Sequence, residues 1–434
     1  MSRRWRHPET IVLHTGYRSD DAVHAVSVPI YQTTSYEFQS TGQAEGIFAL
    51  EEDGNTYSRL MNPTCEVLEA RMTALEDGAA ALSVASGQAA TLLAVLNLCS
   101  QGDNLVSSTG LYGGTWNLLA NTLERMGIET RFVDPEDPES FRRATDERTR
   151  CYFAETLPNP QLEVFPIEEV AAIGRELGVP LIMDNTVAPL LCRPFEHGAA
   201  IVVYSTTKYI GGHGSSLGGM VIDGGRFDWV EDSDRFPIFS EPDPSHGGVI
   251  WSEVVDQLDT ALGDSSYILK ARMTLLRDLG PCLSPLNAYL LLQGLETLPL
   301  RMPAHCANAE AVARHLHRHP KVARVVYPGL MEGEPRRRAD VHLNGSYGPM
   351  VQFEVEGGRE AGRKFIESLR LFYHVANIGD ARSLAIHPAT TTHAQLSEAD
   401  QLAAGVHPGS VRLAVGLEHI DDLLEDLDQA LETS

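Results

Sequence analysis

Lys208 stands alone among uncharged residues in the stretch Ile201-Val-Val-Tyr-Ser-Thr-Thr-Lys-Tyr-Ile-Gly-Gly-His-Gly-Ser-Ser-Leu-Gly-Gly219. The β-branched run from Ile201 to Tyr204 predicts a short buried strand. Three hydroxyls follow it, Ser205, Thr206 and Thr207. The glycines after the lysine let the backbone close tightly around whatever the amine holds. A lysine so placed suits an imine to an aldehyde cofactor that carries a phosphate. A surface lysine after an ordinary strand fits this stretch, taken alone, equally well.

Other residues extend the same chemistry. Asp184 closes the apolar run Leu181-Ile-Met, one crossover unit before Lys208. A carboxylate there can pair with a protonated pyridine nitrogen, which keeps pyridoxal phosphate electron-withdrawing. The plain alternative is an Asx turn. Ser86-Gly87-Gln88 opens an Ala/Leu-rich helix, and free N–H groups at a helix start attract phosphate. Ser205 and Thr207 add hydroxyls, and Tyr57 and Arg59 add a phenol and a bidentate guanidinium. Tyr112, in Leu111-Tyr-Gly-Gly-Thr115, can stack on a planar ring. Arg412 lies inside the apolar Val411-Arg-Leu-Ala-Val415. Burial of that charge demands a partner. A substrate carboxylate and an internal Asp or Glu both qualify.

These residues need elements to position them. Residues 1–64 alternate turn-formers and aromatics without a helical period. Such an arm cannot fold alone and must pack on its own chain or a partner. From 65 to 265, strands and helices alternate. Strands are predicted at Ala79–Val84, Asn104–Ser107, Thr130–Val133, Arg150–Ala154, Pro180–Met183 and Ile201–Ser205. Helices are predicted at Cys65–Glu76, capped by Thr64, from Ser86 to about Leu98, and at Ile167–Leu177, closed by Gly178. This order predicts an α/β unit with a doubly wound, mostly parallel sheet. Ligands sit at the carboxyl ends of such strands, the edge that Ser86-Gly87, Asp184 and Lys208 share. Residues 224–265, rich in Asp, Pro, Ser and Trp, read as a long ordered loop and a candidate lid. A helix near Tyr267–Leu279 leads into a C-terminal α+β unit, 266–434. Helices are expected there at Ala304–His317 and Glu360–Leu369, strands at Val322–Tyr327, Met350–Val355 and Val411–Val415, and an acidic helix at the end.

The 434 residues carry 34 Lys+Arg against 59 Asp+Glu, a formal charge of −25. Nucleic acid and acidic membrane surfaces would be repelled. No apolar run is long enough to span a bilayer, and Met1–Thr10 has no apolar core of a secretory signal. The six cysteines (65, 99, 151, 192, 282 and 306) are scattered without CxxC. That pattern suits a reduced cytoplasm and predicts neither a disulfide framework nor a zinc site. GxxxxGK[ST], GxSxG and HExxH are missing. The histidines of Arg314–His319 read as a solvated helix face, so no metal is expected.

Taken together, the motifs resemble one family. Tyr-Ser-Arg-Leu-Met-Asn-Pro-Thr (57–64), Ala-Ser-Gly-Gln-Ala-Ala (85–90), Leu-Tyr-Gly-Gly-Thr (111–115), Asp-Asn-Thr (184–186), Ser-Thr-Thr-Lys (205–208) and Asn-Ile-Gly-Asp-Ala-Arg-Ser-Leu (377–384) occur in its order. The chain, from about His14 onward, resembles the Cys/Met-metabolism enzymes that use pyridoxal phosphate. These comprise cystathionine γ-synthases, γ-lyases and homoserine-ester sulfhydrylases. The resemblance implies the fold-type I architecture of these enzymes, with Lys208 as the cofactor lysine, Asp184 as the pyridinium partner and Tyr112 as the stacking ring. It implies that Gly87, Gln88, Ser205 and Thr207 hold the phosphate and that Asn159 lies near the cofactor's phenolic oxygen. Arg412, helped by Asn377, would take the substrate carboxylate. Tyr57 and Arg59 would reach the phosphate of a neighbouring subunit, in a homodimer or a tetramer built from two dimers. The chain length, the stretch 240–247 and Asn377 resemble the O-acetylhomoserine sulfhydrylases within the family, and so does Gly114, where methionine γ-lyases tend to have cysteine. Small-molecule γ-replacement on an acylated homoserine is therefore expected, with Lys208 and Tyr112 carrying protons. Cystathionine synthesis or γ-elimination on the same scaffold is the alternative. Glu155-Thr-Leu-Pro-Asn159 departs from the sulfhydrylase pattern, which more often has glycine before the asparagine, and this bears on fine specificity. A regulator that binds cofactor without catalysis would need no such set of lysine, aspartate and arginine.

Overall fold

The computed structural model describes all residues except 1–4, 20–21, 160, 232–233, 256–264, 392–393 and 395–404. Parts of the expected arm and of the expected lid therefore lie outside the described residues. Seven strands form the large sheet: β1 Ala80–Val84, β2 Asn104–Ser108, β3 Glu129–Val133, β4 Thr149–Glu155, β5 Leu181–Asp184, β6 Ile201–Tyr204 and β7 Gly219–Asp223. Their order is β1-β7-β6-β5-β4-β2-β3. β7 runs antiparallel to both neighbours, and the other pairs are parallel. Sequence reasoning misses β7, because it opens on a glycine directly after a glycine-rich loop. Side chains alternate between two cores. Ile201 and Val203 enter one, Val202 and Tyr204 the other. A sheet buried on both faces explains the continuous apolar runs.

The Pro63–Glu76 helix packs under β1. Its cap is Asn62, which accepts from Thr64 N–H at 3.0 Å. Thr64 was the expected cap, but its hydroxyl instead donates to the Pro29 carbonyl at 2.8 Å and ties down the arm. The arm itself holds two short helices, Pro8–His14 and Thr41–Phe48, which are too short to show a period. Ile11, Val12 and Val28 join the large core. The Gly87–Leu96 and Ile167–Leu177 helices form where expected, capped by Ser86 and closed by Gly178 in the left-handed region.

The described part of 224–265 differs from an open lid. Phe236, Phe239 and Trp251 are buried, and Trp229 stacks on Tyr267 with ring centroids 5.0 Å apart. Aromatic area scattered among prolines and acids makes this stretch an anchor on the sheet's second core.

Three successive helical segments follow, Ser266–Ala271, the π-wound Arg272–Leu276 and Arg277–Leu279. Helices Pro285–Glu296 and Leu298–His317 come next. Leu291, Leu295 and Met302 still pack into the large sheet's core, whereas Ala309 and Val312 belong to a third core. By packing, the small unit's own core thus begins well beyond the expected division at 265/266. That core lies under a five-stranded sheet of β8 Val322–Val326, β9 Met350–Val355, β10 Tyr373–His374, β11 Leu384–Ile386 and β12 Ser410–Ala414, in the order β10-β11-β12-β9-β8. All its pairs are antiparallel except β10/β11. No helix among the described residues is long and apolar enough to cross a membrane.

A buried ion pair joins these layers. Arg272 Nη2 meets Glu69 Oε2 at 2.6 Å, and Arg272 Nη1 donates to the Leu60 carbonyl at 2.8 Å. Glu69 Oε1 accepts from Ser83 N–H and its hydroxyl at 2.8 and 2.7 Å. Removing one member leaves the other charge buried and uncompensated. Glu69→Gln should therefore cost about 3–5 kcal/mol of stability. Urea denaturation checks this, and an unchanged midpoint would mean that the pair is dispensable.

Candidate active site

The carboxyl ends of the parallel strands open into a cavity of about 210 Å³. Ser86, Gly87, Gln88, Tyr112, Glu155, Asn159, Asp184, Ser205, Thr207, Lys208, Asn377 and Arg412 all line it. Every expected cofactor or substrate residue is therefore brought together, apart from Tyr57 and Arg59. Arg59 instead donates to the Arg277 carbonyl and lies over the Tyr57 ring, 5.4 Å from its centroid.

At one end of the cavity the Gly87–Leu96 helix begins. Ser86 Oγ accepts from Ala89 N–H at 3.2 Å, and the Ser86 carbonyl accepts from Ala90 N–H at 3.0 Å. The Gly87 and Gln88 N–H groups remain as open donors among the described residues, aided by the helix dipole. A Cβ on Gly87 would sit 2.5 Å from Ser205 Cβ, so only glycine allows the helix start to meet the end of β6. Ser205 N–H donates to Thr186 Oγ1 at 2.8 Å. The Thr207 hydroxyl is engaged with Gly218, donating to its carbonyl at 3.1 Å and accepting its N–H at 3.0 Å.

Asp184 lies deeper. Its Oδ1 accepts from Thr186 N–H at 2.9 Å, and no cation among the described residues pairs with it. Burial pushes its carboxyl up, against the pull of the Thr186 hydrogen bonds. Glu155 sits beside it, in register across β4 and β5. It accepts from Tyr112 N–H at 2.6 Å. Burial, and then the neighbouring Asp184 charge, push the Glu155 carboxyl well up. Sequence reasoning gave Glu155 no role, yet it obeys the same signal as Asp184, a carboxylate ending a parallel strand. Tyr112 precedes the Gly113–Asn117 helix and keeps 51% of its surface exposed, with its ring at the mouth.

The small unit closes the far wall. Lys208 Nζ donates to Asn377 Oδ1 at 2.5 Å, and Arg412 Nη2 donates to the Asn377 carbonyl at 2.9 Å. Gly379, at φ 74°, presses against the Lys208 backbone so closely that a Cβ would lie 2.6 Å from the Lys208 carbonyl carbon. Arg301 clamps the following turn, donating to the carbonyls of Tyr209, Ile210 and Gly294 at 2.8, 3.1 and 2.6 Å. Arg412 is only 6% exposed, its Nε has no partner, and no carboxylate of the described residues pairs with it. Burial lowers its pKa to about 10. The internal Asp or Glu that its position admitted is not found among the described residues.

The chain matches the model of the Cys/Met metabolism PLP-dependent enzymes over residues 9–432. It belongs to that family. It is 52% identical to the O-acetyl-L-homoserine sulfhydrylase of Leptospira meyeri, across 100% of this chain and 98% of that one. It is 45% identical to the homocysteine synthase of Schizosaccharomyces pombe, across 99% of each. A solved Campylobacter jejuni structure that carries N'-pyridoxyl-lysine-5'-monophosphate superposes with a TM-score of 0.93 at 41% identity, covering 98% of this chain and 100% of that one. The enzyme is thus dependent on pyridoxal phosphate and has the fold-type I architecture. The cavity fits the group. It offers open N–H donors where a phosphate needs them, a buried carboxylate without a counter-cation and an amine at a strand end.

Two effects disfavour the Lys208 ammonium, burial first and then the positive charge of Arg412. A neighbouring cation lowers a lysine pKa because it repels the protonated form. Arg412→Gln should therefore move the Lys208 midpoint upward. Amine acylation of cofactor-free protein across a pH series, read by peptide mass spectrometry, reports that midpoint. No shift, or a downward one, would contradict the coupling.

Proposed function

We propose that this enzyme replaces the acetoxy group of O-acetyl-L-homoserine with sulfide, giving homocysteine and acetate; methanethiol in place of sulfide would give methionine. The observation that carries the reading is one cavity in which Lys208, Asp184 and Arg412 converge, with no carboxylate of the described residues paired to the arginine. Full-length relatives bearing this activity in their names support the choice of substrate.

In this reading Gly87, Gln88, Ser205 and Thr207 hold the phosphate, and Thr207 exchanges its bond to Gly218 for one to a phosphate oxygen. Asn159 lies by the phenolic oxygen, and the Tyr112 ring covers the ring face. Pyridoxal phosphate, when bound, supplies an electron sink that acidifies the carbons of the attached amino acid. Asp184 keeps the proton on the ring nitrogen. Arg412 takes the substrate carboxylate with its guanidinium, held in place through Asn377. Lys208 Nζ, once released, accepts the α-proton and later returns it, a role that burial favours by keeping the amine neutral. Tyr112, half-exposed and lining the cavity, would pass protons as acetate departs and sulfide arrives. Removal of Lys208 as Lys208→Ala should cut turnover by roughly 10²–10⁴-fold or more and abolish the borohydride-sensitive visible absorbance. Assays offering acetyl- and succinyl-homoserine with sulfide, methanethiol or cysteine test the reaction itself. Consumption of cysteine rather than sulfide would make it a cystathionine synthase.

We further infer that the working unit is a two-fold dimer, alone or paired into a tetramer, in a reducing cytoplasm. All six cysteines are free thiols. Tyr57 and Arg59 lie away from their own chain's cavity, and in a two-fold assembly each arm can serve the other subunit. Arg59→Ala and Lys208→Ala chains, each inactive alone, should complement after subunit exchange. Random mixing makes about half the dimers mixed, each with one intact site, so roughly a quarter of wild-type activity should return. Verified exchange without recovery would assign the arm to its own chain.

A further inference from the structure

Cys192, His197 and His342 converge outside the lining of the cofactor cavity. Cys192 lies in the connection after β5, and His197 ends the 3-10 turn Pro194–His197. His342 ends the Gly333–His342 helix of the small unit. His197 shortly precedes β6, and the Cys192 carbonyl accepts from Asn185 Nδ2 at 3.0 Å, so the cluster sits along the connection from β5 to β6. One ring nitrogen of each histidine and Cys192 Sγ all lie within 4.8 Å of one another. The two rings meet edge-on, with centroids 4.3 Å apart.

Packing alone does not satisfy this group. His342 is 4% exposed, and its Nδ1 is buried without a hydrogen-bond partner. Such an orphan is unfavourable unless something meets it. His197 Nδ1 is bonded to Glu168 Oε1 at 2.8 Å. A carboxylate on a ring nitrogen is how proteins orient a metal-ligating histidine.

We propose that Cys192, His197 and His342 bind a zinc ion that fastens the small unit to the large one, with Glu168 orienting His197. One thiolate and two imidazoles form a borderline-soft set that suits Zn²⁺. On binding, the Cys192 thiol loses its proton to solvent and a Zn–S bond forms, with no change of oxidation state. A tetrahedral ion draws such ligand atoms to roughly 3.4–3.6 Å, so the cluster closes by about an ångström through side-chain rotation. His197, with its side chain 16% exposed, offers the way in. The helix that delivers His342 is already docked on the large unit, with Arg338 Nη2 on Glu136 at 2.8 and 2.6 Å. The ion would complete that seam.

The test uses holoenzyme treated with chelator until metal-free, its visible absorbance intact, then reloaded with Zn²⁺. Elemental analysis should find about one zinc per chain, as one three-ligand site requires, and zinc-edge X-ray absorption should show one sulfur and at least two nitrogens. Zinc should also raise the thermal midpoint. Cys192→Ser and His197→Gln should each reduce retained zinc to background. His197 is partly exposed, so its variant should fold normally, as circular dichroism can check. Glu168→Gln should weaken affinity roughly 10–100-fold. Zinc no higher than in a buffer control, zinc without a sulfur ligand, or zinc undiminished in both variants would overturn the proposal.

Discussion

Asn377 is the joint on which the site depends. Its side-chain oxygen takes the Lys208 amine and its carbonyl takes Arg412. One residue of the small unit thus sets the spacing between the amine at the end of β6 and the guanidinium on β12. Burial, and then the repulsion that two cations would feel, disfavour the charged form of the Lys208 amine, and the neutral acceptors of Asn377 hold both groups without quenching the Arg412 charge. A carboxylate at 377 would bind both more strongly and would pair off the charge that Arg412 otherwise presents to the cavity.

The opposite wall follows a similar rule. Asp184 and Glu155 are held by backbone N–H groups rather than by cations. Side by side at the edge of β4 and β5, they raise each other's cost of ionisation, and a positive group between them would relieve it. The structural ion pair of Glu69 and Arg272 lies elsewhere, under β1, where each charge meets the other. Satisfied charge holds the layers together, whereas unsatisfied charge lines the cavity.

Much of this was legible from order alone. Ser86-Gly87, Asp184 and Lys208 each follow a short apolar run, and a parallel sheet gathers such positions at one edge. Glu155 obeys the same rule but closes a strand without an accompanying glycine motif. The position of Arg412 was legible. Its lack of a carboxylate partner was not, because that depends on what the rest of the chain brings near. The aromatic anchor within 224–265 hid behind prolines and acids, whose turn chemistry outweighs widely spaced rings in any local window. The closeness of Cys192, His197 and His342 spans two units and has no local signature at all.

The clamps on the lysine loop have a consequence for biosynthesis. Arg301 and Asn377 lie 92 and 169 residues after the groups they hold, Tyr209 and Lys208. The ribosome makes the chain from its amino end at about 5–20 residues per second. The seven strands of the large sheet therefore emerge many seconds before the residues that fix the catalytic turn. A nascent chain has its sheet, and even its open phosphate donors, while the amine is still unanchored. The wall that anchors the amine is thereby completed only toward the end of translation, when the last small-unit strands arrive.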